Sequence, residues 1–144
     1  MAVTMATARN EMLSRVKAVV DAISAGDRPT LLYENKDPAV PRDTTTPWAL
    51  AHVRHQGGEQ ASLAGASGTR LWDRTGTIVV QVYTRAGDAF RKNDVICQAI
   101  RDGFQGYTTP GGVWFRNPRV EELGVEGPWF GTNVLVDFLY TEIL

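Results

Sequence analysis

Two stretches of strict alternation limit what this chain can fold into. In Thr77 to Thr84, Ile78, Val80 and Val82 point one way while Val79, Gln81 and Tyr83 point the other. In Thr132 to Ile143, Val134, Val136, Phe138 and Tyr140 alternate with Leu135, Asp137 and Leu139. A period of two is the signature of a strand that buries one side, so the chain must supply something to cover a sheet. Two segments have the period for it. Thr4 to Ser24 carries Met12, Val16, Val19, Val20 and Ile23 at spacings of three and four, with Thr4 or Thr7 as the cap and Gly26 beyond the end. Asp88 to Phe104 sets Phe90, Ile96, Cys97, Ile100 and Phe104 on an inner face, with Asp88 as its cap and Gly106 past its end.

The remaining elements are shorter. Thr30 to Tyr33 reads as a short strand and Trp48 to His55 as another. Thr69 to Asp73 and Thr77 to Thr84 read as a hairpin turning at Arg74, Thr75 and Gly76. Val113 to Glu121 and Thr132 to Ile143 read as two strands joined through Leu123 to Gly131, with its three glycines and one proline. Strands come in blocks without regular βαβ alternation. The expected class is therefore α+β: a mostly antiparallel sheet with two amphipathic helices packed on one face. At 144 residues this is one domain, 1–144. Two segments, 34–47 and 57–68, have loop composition; the first holds three prolines and three threonines, the second is rich in Gly, Ala and Ser. Both are expected to be mobile.

Composition excludes several functions. Net charge is −1, so the basic excess of a non-specific nucleic-acid binder is absent. No stretch approaches the ~20 apolar residues of a membrane helix, and no signal-peptide core opens the chain; a soluble protein made in a cytoplasm is expected. One cysteine cannot close an internal disulfide.

Catalytic and ligand-binding patterns are missing in turn. His52 and His55 lie three apart, on opposite faces of a strand, and share no metal. Cys97 sits on the inner stripe of a helix, where a thiol behaves as a small apolar group. Gly65-Ala66-Ser67-Gly68 lacks the spacing and the strand–turn–helix of a nucleophile elbow. No phosphate-binding glycine motif is present, and Glu121-Glu122 splits across the two faces of a strand. No enzyme, cofactor or metal is expected. Arg70, Trp72 and Arg74 alternate on one face, and Arg and Trp are residue types that anchor interfaces. Four tryptophans, Trp48, Trp72, Trp114 and Trp129, exceed what one core needs. Arg70, Trp72, Arg74 and Trp48 are the candidate interface residues.

The order of these pieces resembles the tail-terminator-like (tail-completion) family of long-tailed phages. A leading helix is followed by a Pro-rich arm ending in Trp48-Ala49, then Arg74-Thr75-Gly76 running into Thr77-Ile78-Val79-Val80-Gln81-Val82-Tyr83. Arg85-Ala86-Gly87-Asp88 opens the second helix. Val113-Trp114-Phe115-Arg116, Gly127-Pro128-Trp129 and the closing strand Val134 to Tyr140 complete it. The likeness spans roughly residues 5 to 143 and rests on order and scattered identities; where the family often has a second glycine at helix entry, Ala89 stands. The resemblance implies a structural protein that assembles as a ring, commonly of six copies. Such a ring caps the tail-tube protein, ends tube growth and presents the surface that a head-completion or neck protein docks. It implies a place at the head-proximal end of the tail of a virion assembled in the host bacterial cytoplasm. Another neck subunit is the nearest alternative. A small ligand-binding α+β domain, or a nucleic-acid module built on Arg70, Trp72, Arg74 and Arg85, lies further off.

Overall fold

A computed structural model describes residues 3–36, 45–62, 65, 66 and 68–144. Helix α1 (Met5–Asp21) leads, followed by strands β1 (Thr30–Tyr33), β2 (Trp48–Gln60) and β3 (Leu71–Arg85). Helix α2 (Arg91–Phe104) comes next, then β4 (Trp114–Glu126) and β5 (Trp129–Ile143). The strands form one sheet in the order β1-β2-β3-β5-β4. Every neighbouring pair is antiparallel except β1 with β2. The class is α+β, mostly antiparallel.

Alternation decides which face is covered. Ala49, Ala51 and Val53 of β2, Ile78, Val80 and Val82 of β3, and Val134, Val136, Phe138 and Tyr140 of β5 are all buried. They form one core with Met12, Val16, Val19 and Val20 of α1 and Ile96, Cys97, Ile100 and Phe104 of α2. Both helices therefore pack on one face of the sheet. They cross closely at Gly103, where an added Cβ would come within 2.4 Å of Val19 Cγ2. Arg15 of α1 donates to the Gly103 carbonyl from Nε and Nη2, at 2.9 and 2.6 Å, satisfying an end carbonyl of α2. Thr4 caps α1, its Oγ1 accepting from the Thr7 N–H at 3.2 Å.

Several elements differ from the sequence expectation. The residues read as a hairpin turn, Arg74 to Gly76, lie inside the single strand β3, which pairs with β5 without interruption from Leu71 to Arg85. Composition marks Gly76 as a turn, but its missing side chain instead makes room for the Phe138 ring of β5. β2 continues past His55 to Gln60 through a bulge near Gln56, so Gly57 and Gly58 belong to a ladder. Residues 63, 64 and 67 of the expected 57–68 loop, and 37–44 of the expected 34–47 loop, lie outside the described residues. The length of the 34–47 segment has a topological cause: parallel strands cannot be joined by a tight turn. The expected joining segment Leu123 to Gly131 is mostly strand, with β4 and β5 meeting at Gly127-Pro128.

The start of α2 is also different. Helical geometry begins at Arg91, after Phe90, with no side-chain cap; Asp88 falls too early to serve. Phe90 is 55% exposed, meeting Phe130 edge-on at 5.3 Å outside the core. Its expected inner place is taken by Asn93, 2% exposed. Asn93 donates to Thr84 Oγ1 at 3.2 Å and accepts from the Thr132 hydroxyl at 2.8 Å, tying α2 to β3 and β5. The chain enters this helix through two left-handed residues, Gly87 (φ 93°) and Ala89 (φ 60°). Alanine pays a steric penalty there that glycine does not. Ala89→Gly is expected to raise stability by about 0.5–1 kcal/mol, read as a higher urea midpoint at unchanged slope. A lower midpoint would refute the strain.

Candidate functional surfaces

The face of the sheet opposite the helices carries Trp48, Leu50, His52 and Arg54 from β2, with Thr77, Val79, Gln81 and Tyr83 beside them on β3. Asn133, Leu135, Asp137 and Leu139 follow on β5. No helix covers this face among the described residues. Leu50, Val79, Leu135 and Leu139 form a half-buried apolar band across it, and Trp114 at its far edge is 45% exposed. Arg119–Asp137 at 3.2 Å and the Arg54–Glu34 pair bound the band with charge.

At the end of this face where β2 begins, Trp48 is almost enclosed. It stacks on Tyr83 with ring centroids 4.4 Å apart and meets Trp129 edge-on at 6.1 Å. Its buried Nε1 has no hydrogen-bond partner among the described residues. The same holds for His52 Nε2 and Asn133 Oδ1. All three belong to the face without helices. His52 Nδ1 lies 3.1 Å from Glu34 Oε2, close enough for an ion pair but outside hydrogen-bond geometry. Burial nevertheless holds the His52 pKa below its ordinary value, against the pull of Glu34.

The other three candidate residues lie far from Trp48. Trp72 and Arg74 sit on the helix-side face at the opposite end of the strands. Arg74 Nε donates to Glu142 Oε1 at 2.8 Å, and its guanidinium stands 5.6 Å from the Trp72 ring centre. Arg70 precedes β3, exchanges backbone hydrogen bonds with Leu144, and donates from Nε to the Gly65 carbonyl at 2.8 Å. The fold thus divides the four candidates into two sites, one aromatic and one basic.

Sequence reading missed a cluster beside the basic site. His55 Nε2 is 2.7 Å from the Tyr140 hydroxyl, and its Nδ1 is 3.2 Å from Arg9 Nη2. A guanidinium only donates. Nδ1 must therefore accept, which leaves the proton on Nε2 and the ring neutral. Arg9, Arg74 and Glu142 provide the nearby charge, and burial, then Arg9, lowers the His55 pKa. No sequence signal joins Arg9, His55 and Tyr140, because they meet only when α1 packs on the β2–β3–β5 register.

A depressed histidine pKa has a fixed consequence for stability. Above the unfolded value, near 6.5, neither state binds the proton; below it the unfolded chain binds more. Stability is full above about pH 6.5 and falls as pH drops toward the folded pKa. Melting temperature is expected to fall between pH 7.5 and 5.5, and His52→Gln with His55→Gln to flatten the profile. An unchanged slope in the double variant would assign the dependence elsewhere.

Other chemistry is limited. Cys97 is buried, and burial pushes its thiol up to about 12, far from a reactive thiolate. Among the described residues, no three His, Cys, Asp or Glu side chains gather as a metal site. No helix among them is long and apolar enough to cross a membrane.

A scan against known protein families finds no match. A search of curated proteins finds none either. Solved structures do share the fold. One superimposes with a TM-score of 0.69 over 96% of this chain and 96% of its own, at 14% sequence identity. At that identity the likeness concerns the fold alone.

Proposed function

We propose that this chain is a structural subunit of a long-tailed phage that caps the tail tube as a ring. It ends tube polymerisation and offers the surface on which the head docks. On this reading it works by complementarity of shape and charge, and makes or breaks no bond.

The observation that carries the reading is the helix-free sheet face. It combines an apolar band with three residues, Trp48, His52 and Asn133, whose buried polar atoms lack partners among the described residues. An unpaired buried polar atom costs about 1–3 kcal/mol, which side-chain rearrangement on contact with a partner would recover. A face of this kind suits association better than permanent exposure. The resemblance of residues 5 to 143 to tail terminators supplies the identity of the partner. The basic site at Arg70, Trp72 and Arg74, at the far end of the same strands, offers a second contact of different chemistry. Two unlike surfaces on one subunit are what a cap between two different assemblies requires.

Negative-stain microscopy of the purified chain, alone and mixed with tail tubes, tests the reading. Rings, or caps at one tube end with tube length frozen, are expected. Protein that never touches a tube would overturn it and point to another neck component.

A further inference from the structure

We propose that neighbouring copies join by strand addition, the outer edge of β4 pairing antiparallel with the free edge of β2 on the next copy. The proposal rests on the ring reading above and specifies how that ring closes.

The sheet has two unequal edges. At one, β1 covers only Trp48 to Ala51 of β2. The Pro47 and Ala51 carbonyls point toward β1, accepting from Thr30 N–H at 2.9 Å and Glu34 N–H at 3.1 Å. By strand alternation Val53 and His55 aim their backbone groups the same way, where no strand lies among the described residues. A cleft of about 490 Å³ opens there, bordered by Arg9, Leu13, Glu34, Asn35, Val53 and Arg54. At the other edge the outer side of β4 is met only at Trp114, by a bridge to Thr108, and no strand pairs with it beyond that among the described residues. A bulge, Pro118 and left-handed Asn117 break its first half, and a second bulge at Leu123 beside left-handed Gly124 bends its second half, which is how natural edges resist pairing. Its second half, Arg119 to Glu126, lacks proline and exposes Val120 at 39%, Leu123 at 50% and Val125 at 69%. Apolar side chains on a long open edge are a hazard unless something covers them.

Direction and charge select the occupant. From β2 through β3 and β5 to β4, each step is antiparallel, so β2 and β4 run in opposite directions. Rotation about an axis along the strands preserves direction and keeps the helices on one side. It therefore brings β4 beside a neighbour's β2 in antiparallel pairing, with segments of similar length. Two different edges meeting head to tail is the heterologous contact that closes rings. The β4 segment carries Glu121, Glu122 and Glu126 against one Arg119, which is held by Asp137. Two such edges would repel each other. At the β2 edge Glu34 is already paired with Arg54, while Arg9 has no carboxylate within ion-pair distance among the described residues and can receive one.

Cysteine pairs test this in the full chain. Antiparallel pairing brings Val120→Cys near Glu59→Cys, and Val125→Cys near Arg54→Cys; the exchanged pairs stay apart. Single variants are mixed with each other, at high concentration and with tail tubes, and treated with a short bismaleimide. The expected result is a cross-linked dimer from each matched mixture, at least tenfold above the exchanged mixtures. The Val120→Cys, Glu59→Cys double variant alone should give a ladder. Assemblies that form without the matched links, or that link Val120→Cys to itself, overturn strand addition and leave the ring reading intact. Absence of assembly under both conditions overturns both.

Discussion

Phe104→Ala is expected to lower stability by about 3–5 kcal/mol, a fall in melting temperature on the order of 10 °C for a domain of this size. Phe104 is fully buried at the end of α2 and meets Phe115 of β4 edge-on, ring centres 4.9 Å apart. Phe115 in turn lies against Tyr107, whose ring carries the Arg15 guanidinium 3.8 Å above it. Removing one ring empties the joint between α1, α2 and the β4 edge. Gly103 beside it already brings α1 as close as side chains allow, so collapse cannot refill the space. Chemical denaturation at constant slope measures the loss. A cost under 1 kcal/mol would show the joint to be loosely packed. Because β4 is the proposed joining edge, the same variant is expected to weaken assembly before it unfolds the monomer.

Legibility followed periodicity. Met12, Val16, Val19 and Val20 could be placed because a helical stripe is a local signal, as could the alternation of Ile78, Val80 and Val82. The class followed from the order of such elements. What stayed hidden depends on partners distant in sequence. Asn93 looks like a surface residue of α2 until Thr84 and Thr132 arrive beside it. Gly57 and Gly58 look like loop because nothing local reveals Arg74 and Thr75 across the ladder. The candidate residues show the same limit. Residue type alone groups Arg70, Trp72, Arg74 and Trp48, but only the register tells that Trp48 faces away from Arg74, at the other end of the sheet. The edges of β2 and β4 left open among the described residues are invisible in sequence, since strand order is a property of the assembled sheet.

Gly76→Ala is expected to cost about 3 kcal/mol, near the upper end for overpacking, although it adds one methyl group. Gly76 faces His55 on β2 and Phe138 on β5. A Cβ there would lie 2.1 Å from the Arg54 carbonyl oxygen and 2.5 Å from Phe138 Cζ. Phe138 can rotate only against Tyr140 and His55, which pack on it at 6.0 and 5.3 Å. The carbonyl belongs to β2, which is laddered to β3 at this point. A glycine inside a strand marks close approach by another group, and here that group is partly backbone, which does not yield as a side chain would. Gly26 has open space around it, and Gly26→Ala is expected to stay within about 0.5 kcal/mol of the parent. The contrast separates the two readings of Arg74-Thr75-Gly76. A turn glycine at ordinary φ would accept alanine with little loss, whereas a glycine in the central ladder cannot. Equal, small effects at both positions in a urea titration would return this segment to a turn and undo the continuous β3 on which the β2–β3 ladder, the His55 cluster and the proposed edge all depend.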